Sequence, residues 1–280
     1  MTSRRDFLKT SLAAFGGIAA TRRLGAEPFG IPLGFQTYPI AKQFVADVPG
    51  TLRELAALGY RWVEMCSPPG YKSLFGPLME WKGSELRKRF EDAGMACNSS
   101  HYQFSELKQS LPDRIAYAKE LGITQMVIAS MGLPQNATMD DWRRAAEESN
   151  PIGEQTRKAG IQLAFHNHGM ELQQIDGVLI YDELIRRFDA NLVKMQCQVV
   201  NVAGAGMDPA AFLRKYPGRF VSLHLADRTT EGRQAPVGKG SIDWKQVFLA
   251  AKEAGMKNYY VEMNMDPLKE SAPYLRGLTL

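Results

Sequence analysis

The stretch Leu58-Gly59-Tyr60-Arg61-Trp62-Val63-Glu64 contains the end of a helix, a glycine cap and the start of a buried strand. Glycine readily adopts the left-handed conformation that ends helices, and an apolar residue then leads into the next strand. The same punctuation recurs at Ala93-Gly94-Met95, Leu121-Gly122-Ile123, Ala159-Gly160-Ile161 and Ala254-Gly255-Met256. Five such junctions indicate a chain built of repeated strand–helix units.

Eight short apolar runs alternate with longer amphipathic segments after residue 30. The runs are continuous, which is typical of strands buried on both faces of a parallel sheet. They cover residues 33–36, 62–66, 96–101, 125–129, 162–166, 193–198, 220–225 and 259–263. Helical patterns lie between them, at 49–58, 85–93, 113–121, 140–159, 181–188, 209–216 and 244–254.

Eight strand–helix units in about 250 residues predict a single (β/α)8 TIM barrel of the α/β class. The predicted barrel domain covers residues 27–280. An open, doubly wound sheet is the alternative, but no glycine-rich phosphate-binding sequence follows the first strand.

Charge and composition narrow the function classes. The 280-residue chain is 45% hydrophobic and 23% charged, with a formal net charge of +4, which is ordinary for a globular protein. Five of the 34 basic residues and one of the 30 acidic residues lie in residues 1–26, which leaves 29 of each sign in the remainder. A formally neutral domain lacks the basic surface that nucleic acids require, so we expect no nucleic-acid partner.

The first 26 residues have the pattern of an export signal. Ser3-Arg4-Arg5-Asp6-Phe7-Leu8-Lys9 precedes a mildly apolar run at 11–20 and looks like the start of a twin-arginine signal peptide. Leu24-Gly25-Ala26 offers a small-residue cleavage site. The apolar run is too short to span a bilayer, so we expect a periplasmic protein without a stable membrane anchor. The three cysteines form no close pair and lie in apolar runs, so we expect buried free thiols.

Polar side chains stand at the predicted strand ends, where TIM barrels carry their working residues. All four histidines of the chain lie at or just after such an end. Histidines that converge on one rim suit metal binding, acid–base chemistry or hydrogen bonding to a sugar. The strand-end residues are Gln36, Glu64, His101, Ser130, His166, Asn167, His168, Gln198, His224 and Glu262.

Several further side chains are weaker candidates. Asp227 and Lys239 lie in the loop after the seventh strand, where loops commonly close over substrate, although each also fits a solvated surface charge. Aromatic residues of the second strand and its loop either stack on a sugar ring or pack locally. They are Trp62, Tyr71, Phe75 and Trp81.

These elements resemble the sugar phosphate isomerase/epimerase family of xylose-isomerase-like TIM barrels, which also includes apurinic endonucleases and inosose dehydratases. The matching stretches keep the family's order over nearly the whole chain after the signal. They are Leu33-Gly34-Phe35-Gln36-Thr37-Tyr38, the stretch 58–64, Phe165-His166-Asn167-His168, Tyr216-Pro217-Gly218-Arg219, Leu223-His224-Leu225-Ala226-Asp227, Val237-Gly238-Lys239-Gly240-Ser241-Ile242-Asp243-Trp244 and Tyr260-Val261-Glu262. The resemblance is specific for the superfamily and for no particular substrate.

Members of that family usually hold one divalent metal through a Glu, an Asp, a His and a Glu from strands five to eight. His224 and Glu262 match the last two. His166 falls on or near the first position, with Glu171 close enough to compete, and Gln198 replaces the Asp. The resemblance therefore implies a metal set of His166, Gln198, His224 and Glu262. Because this set carries one formal negative charge, Zn²⁺, Mn²⁺ or Co²⁺ suits it better than Mg²⁺.

The leading hypothesis is an exported enzyme that removes a proton next to a carbonyl of a small carbohydrate. Glu262 or His166 acts as the base, and the other returns the proton. The predicted substrate-binding residues are Gln36, Glu64, His101, His168, Asp227 and Lys239. Proton return gives epimerisation or isomerisation, whereas the same deprotonation beside a 3-keto group expels a glycosidic leaving group.

Two other classes of function were compared with this hypothesis. Gln198, which departs from the family's metal set, favours a catalytically weak barrel that binds a periplasmic sugar or docks to a partner enzyme. Apurinic-site cleavage would require a basic groove and further metal ligands, and the sequence offers neither. The oligomeric state stays open, and a homo-oligomer is compatible with the sequence.

Overall fold

A computed structural model describes residues 28–280 of the chain. The segment predicted to be a signal peptide, 1–26, lies outside these residues, so export stays a prediction. Within the described part, no helix combines the length and the apolar character needed to cross a membrane. The three cysteines are buried and free, as the sequence predicts.

Eight strands close into a barrel in the order β1-β8-β7-β6-β5-β4-β3-β2. All neighbouring strands are parallel, including β1 and β8, which close the barrel. The predicted (β/α)8 barrel is therefore confirmed. The strands are β1 Gly34–Gln36, β2 Trp62–Cys66, β3 Ala96–Gln103, β4 Gln125–Ser130, β5 Gln162–His166, β6 Val193–Gln198, β7 Phe220–Leu225 and β8 Asn258–Val261.

Helices surround the barrel and connect its strands. They are α1 Ala41–Ala46, α2 Val48–Leu58, α3 Lys72–Phe75, α4 Gly83–Asp92, α5 Phe104–Leu121, α6 Met139–Lys158, α7 Ile180–Arg187, α8 Val199–Gly204, α9 Pro209–Lys215, α10 Trp244–Glu253 and α11 Met265–Gly277. The five glycines predicted to follow helices all adopt positive φ, between 70° and 103°. Two short antiparallel hairpins extend the loops after β5 and β7. Their strands are Gln174–Ile175 with Val178–Leu179, and Asp227–Arg228 with Gln234–Ala235.

The structure departs from the predicted elements in a few places. The sequence predicts a helix from residue 113, whereas α5 begins at Phe104 and contains non-helical backbone at Ser110. Pro112 thus enters the first turn after the kink, where its missing N–H removes no helical hydrogen bond. The patterns did not predict α1, α3, α8 or α11. Strand β3 continues past His101, and β8 ends one residue before Glu262.

Polar side chains fill the inside of the barrel in layers. Strands β3, β6 and β7 each place two polar residues, two positions apart, on the inner face, because successive side chains of a strand alternate. These pairs are Ser99 with His101, Gln196 with Gln198, and Ser222 with His224. Below them, the Gln125 amide donates to Ser222 Oγ at 2.8 Å and to Ser99 Oγ at 3.2 Å. Such a connected polar network holds the side chains above it in place.

Candidate active site

Glu64 lies at the centre of the barrel, fully buried among the histidines. Its Oε1 accepts hydrogen bonds from Ser99 Oγ at 2.6 Å and Gln196 Nε2 at 2.7 Å. Its Oε2 accepts from His224 Nε2 and lies 3.2 Å from His101 Nε2. Burial raises the pKa of Glu64, but the two rings lower it more, so the pKa ends well below its usual range. Glu64 is therefore an ionised carboxylate that orients the histidines.

Gln196 determines which nitrogens of two histidines carry protons. Its amide nitrogen must face Glu64, because a carboxylate only accepts hydrogen bonds. The amide oxygen therefore faces His101 Nε2 at 2.7 Å and His166 Nδ1 at 3.0 Å, and both nitrogens must donate. Burial and the neighbouring imidazoles keep the pKa of His166 well below its ordinary value. The neutral His166 consequently has an unprotonated Nε2, suited to a base or a metal ligand.

His224 lies between two carboxylates. Its Nε2 faces Glu64, and its Nδ1 is 3.0 Å from Glu262 Oε2. Burial lowers the pKa of His224, but both carboxylates raise it, to about 10 overall. Burial likewise raises the pKa of Glu262, whereas His224 brings it below its ordinary value. Glu262 is therefore ionised at neutral pH.

The structure brings together the four residues predicted to hold a metal. Gln198 Nε2 donates to Glu262 Oε2, while Gln198 Oε1 is buried without a hydrogen-bond partner. One ligand atom each from His101, His166 and His224 lies within 4.8 Å of the others. A buried amide oxygen without a partner, imidazole nitrogens and a carboxylate are ligand types that suit a divalent cation. The three histidines could hold a metal, which adds His101 to the candidates from the sequence.

Glu171, the competing ligand, lies outside this group. It is buried in the short helical turn Met170–Leu172, and its Oε2 accepts a hydrogen bond from the backbone N–H of His168 at 2.7 Å. Burial raises the pKa of Glu171. Its contact stabilises the loop after β5.

A cavity of about 210 Å³ borders the cluster. Both predicted catalytic residues, His166 and Glu262, line this catalytic cavity, as do three of the predicted substrate-binding residues, Gln36, His101 and His168. Of the aromatic candidates, Tyr71 reaches it. The remaining lining residues are Tyr38, Cys66, Gln103, Ala129 and Ser130. Residues from five strands, β1 to β5, and Glu262 directly after β8 thus converge on one site at the carboxyl end of the barrel.

The other predicted substrate-binding residues do not line the cavity. Glu64 lies inside the barrel with both oxygens occupied. Asp227 is fully buried in the loop after β7, and its Oδ2 accepts from two backbone N–H groups, at 3.0 and 3.2 Å, and from Trp244 Nε1 at 2.7 Å. A Cβ at Gly240 would come within 2.1 Å of Asp227 Oδ1, so glycine permits this close wrapping. Lys239 is exposed on the same loop.

Gln196 is the functional residue that strand-end reasoning missed. A signal was present, because Gln196 precedes Gln198 by two positions and therefore faces the same side of β6. A polar side chain within a buried strand requires a partner. The partners, Glu64 and two histidines, lie on other strands.

The fold and the site together define the class of this protein. A model of xylose isomerase-like TIM barrels matches residues 52–278, and the chain belongs to that family. The chain is similar along most of its length to a sugar phosphate isomerase/epimerase from Parabacteroides distasonis ATCC 8503. That crystal structure has a TM-score of 0.75 and 27% identity, over 93% of this chain and 98% of its own.

More distant similarities are partial or limited to the fold. An inosose dehydratase from Lacticaseibacillus casei is 25% identical over 152 residues, which are 47% of this chain and 50% of that protein. The chain thus spans about half the length of the curated relatives it matches. The IolI protein, solved with a bound zinc atom, has a TM-score of 0.66 at 15% identity over 88% of this chain and 94% of its own, a likeness of fold alone.

Proposed function

We propose that this protein is a carbohydrate enzyme that removes a proton from the carbon next to a carbonyl group. One observation carries the proposal: two groups able to act as bases, the Glu262 carboxylate and the unprotonated Nε2 of His166, line one small cavity. One base can remove the proton while the second group returns it. The name of the similar Parabacteroides protein, sugar phosphate isomerase/epimerase, supports a reaction of this class.

The chain's own residues prepare this step. Glu64 accepts from His224 Nε2, so that His224 Nδ1 faces Glu262. A carboxylate behind a histidine in this way orients the ring, and a cation on Nδ1 would take the place of the proton that this nitrogen carries at neutral pH. His166, Gln198, His224 and Glu262 would hold one divalent cation, Zn²⁺, Mn²⁺ or Co²⁺ in preference to Mg²⁺, which when bound supplies positive charge for the developing enediolate oxygen. Because His166 Nε2 cannot bind a cation and accept a proton at once, Glu262 would act as the base when the cation is bound. The zinc in the IolI structure agrees with this choice.

Two outcomes can follow the same first step. Return of the proton to the same or a neighbouring carbon gives epimerisation or isomerisation. Departure of a group from the next carbon gives elimination, which would make the protein a lyase on 3-keto-glycosides. The similarity to inosose dehydratases favours the second outcome, because dehydration eliminates water.

We further propose that the enzyme is exported and that it acts on a small molecule. Residues 1–26 would direct it to the periplasm by the twin-arginine route. A periplasmic enzyme meets glycosides more readily than sugar phosphates. Its partner is a small carbohydrate, with no nucleic acid and no stable membrane anchor.

Proton exchange tests the proposal independently of the outcome. The protein, with Zn²⁺, Mn²⁺ or Co²⁺ added in turn, is incubated in D2O with keto-sugars and 3-keto-glycosides, and NMR follows deuterium incorporation next to the carbonyl. We expect exchange that Glu262→Gln and His166→Asn abolish. Glu253→Gln is the matched control, because Glu253 pairs with Arg214 on the outer surface. Absence of exchange with every ketone would contradict the proposal and favour a sugar-binding barrel.

A further inference from the structure

A second cavity, of about 560 Å³, lies between the loops that follow β5, β6 and β7. Gly169 comes from the first loop, Gly204 from α8 after β6, and Arg228 and Gly232 from the hairpin after β7. Gly169 follows His168, which lines the catalytic cavity. The two cavities therefore share the loop after β5, which lines both of them.

Arg228 is the charged residue of this second cavity, and no carboxylate lines it. The Arg228 side chain is half-buried, and its guanidinium has no ion pair or side-chain hydrogen bond with any residue in 28–280. The other half-buried arginines of this range each donate to a carbonyl or carboxylate oxygen. They are Arg61, Arg89, Arg114, Arg143 and Arg219.

Two glycines make room for the guanidinium. A Cβ on Gly204 would lie 2.5 Å from Arg228 Nη1, and a Cβ on Gly232 would lie 2.8 Å from Arg228 Nη2. The guanidinium therefore occupies a slot between α8 and the hairpin tip that side chains at these two positions would close. An unpaired cation thus lies at the wall of a cavity, in space that two glycines leave open.

We propose that Arg228 binds a carboxylate of the substrate in this cavity, so that the substrate is an acidic sugar derivative. A partly buried charge is costly without a counter-ion, and the guanidinium fork matches a carboxylate through two parallel hydrogen bonds. One cation balances a monoanion, whereas a phosphate dianion would keep an uncompensated charge. The amides of Asn201 and Gln234 also line the cavity and provide neutral donors.

The volumes agree with a substrate that extends beyond the catalytic cavity. Pockets for small molecules commonly measure about 300–1,000 Å³. The catalytic cavity, at about 210 Å³, is smaller than this range, and the second cavity falls within it. The identity of the bound molecule as a substrate rests on the proposed function, whereas the carboxylate site rests on the second cavity alone.

Equilibrium binding tests the carboxylate site without turnover, so its failure is distinguishable from failure of proton exchange. Calorimetry measures the binding of five ligands to the wild type and to the variants Arg228→Gln and Arg233→Gln. The ligands are three sugar acids, D-glucuronate, D-galacturonate and D-gluconate, together with glucose 6-phosphate and methyl glucoside. Arg233 is the matched control, because it is an exposed arginine of the same loop. We expect a sugar acid to bind the wild type and Arg233→Gln equally, and Arg228→Gln at least about tenfold more weakly.

A second variant keeps the charge and moves it. Gly204→Ala should displace the guanidinium and weaken sugar-acid binding. This variant replaces Arg228→Gln in the test if the melting temperature shows that Arg228→Gln does not fold. Wild-type affinity in Arg228→Gln or Gly204→Ala, or an equal loss in Arg233→Gln, overturns the proposal. Absence of saturable binding of all three sugar acids to the wild type, or tighter binding of glucose 6-phosphate, overturns it as well.

Discussion

Replacing Asp227 by asparagine should destabilise the protein while leaving the residues of the catalytic cavity in place. The buried Asp227 carboxylate accepts three hydrogen bonds at Oδ2 and two at Oδ1. The donors are the N–H groups of Gly238 and Gly240 and Trp244 Nε1 at Oδ2, and the N–H groups of Arg228 and Ile242 at Oδ1. An asparagine keeps one accepting oxygen, so its best placement retains the three bonds at the Oδ2 position and loses the other two.

The magnitude follows from those two bonds. A hydrogen bond to a charged group contributes about 1.5–3 kcal/mol, so the free energy of unfolding should fall by about 3–6 kcal/mol. Because whole domains are stable by about 5–15 kcal/mol, urea unfolding at equilibrium will detect this change clearly.

The matched control is Asp208→Asn. Asp208 caps α9, accepting from the N–H of Ala210 at 2.8 Å and of Ala211 at 3.4 Å. Asparagine and aspartate cap helices about equally well, so we expect a change below about 0.5 kcal/mol. A loss of less than about 1 kcal/mol in Asp227→Asn would refute the reasoning. Loss of sugar binding at unchanged stability would instead support the predicted role of Asp227 in substrate binding.

Three further outcomes are expected. Elemental analysis of the full chain purified without chelator should find about one equivalent of zinc, manganese or cobalt. The His224→Ala variant should lose this metal. A wild type that is purified without metal, and whose melting temperature does not rise when zinc, manganese or cobalt is added, would contradict the metal site. Gln196→Leu removes the partner of Glu64 and of two imidazole N–H groups, so turnover should fall about 10–100-fold; unchanged kcat and KM would contradict its positioning role. Tyr60→Phe removes a buried 2.9 Å hydrogen bond to the Leu268 carbonyl. The free energy of unfolding should fall by about 1–3 kcal/mol while kcat stays unchanged. A lowered kcat at unchanged stability would contradict this purely structural role.

The sequence predicts the barrel well because its signals are local. Each apolar run and each glycine cap acts within a few residues, and β2, β5, β6 and β7 have the predicted bounds. The errors are also local in origin. Pro112 suggests a helix start, yet the chain kinks at Ser110 and keeps helical residues on both sides.

The residues of the candidate site are only partly predictable from the sequence. Strand ends indicate His166, His224 and Glu262, because TIM barrels carry their working residues at that end. The sequence does not indicate that Asp227, in a loop typical of substrate contacts, turns inward to hold its own backbone. That role depends on how the loop folds over itself.

By itself the sequence determined the order of strands and helices, the end of the barrel where chemistry occurs, and the residue types available there. Tertiary structure decided which of those residues meet. Glu64 contacts Gln196 across 132 residues of chain and His224 across 160. Such contacts depend on the register in which eight strands close, because a shift of one residue would turn each inward side chain outward. The protonation of His166 and the unpaired oxygen of Gln198 follow from that closure.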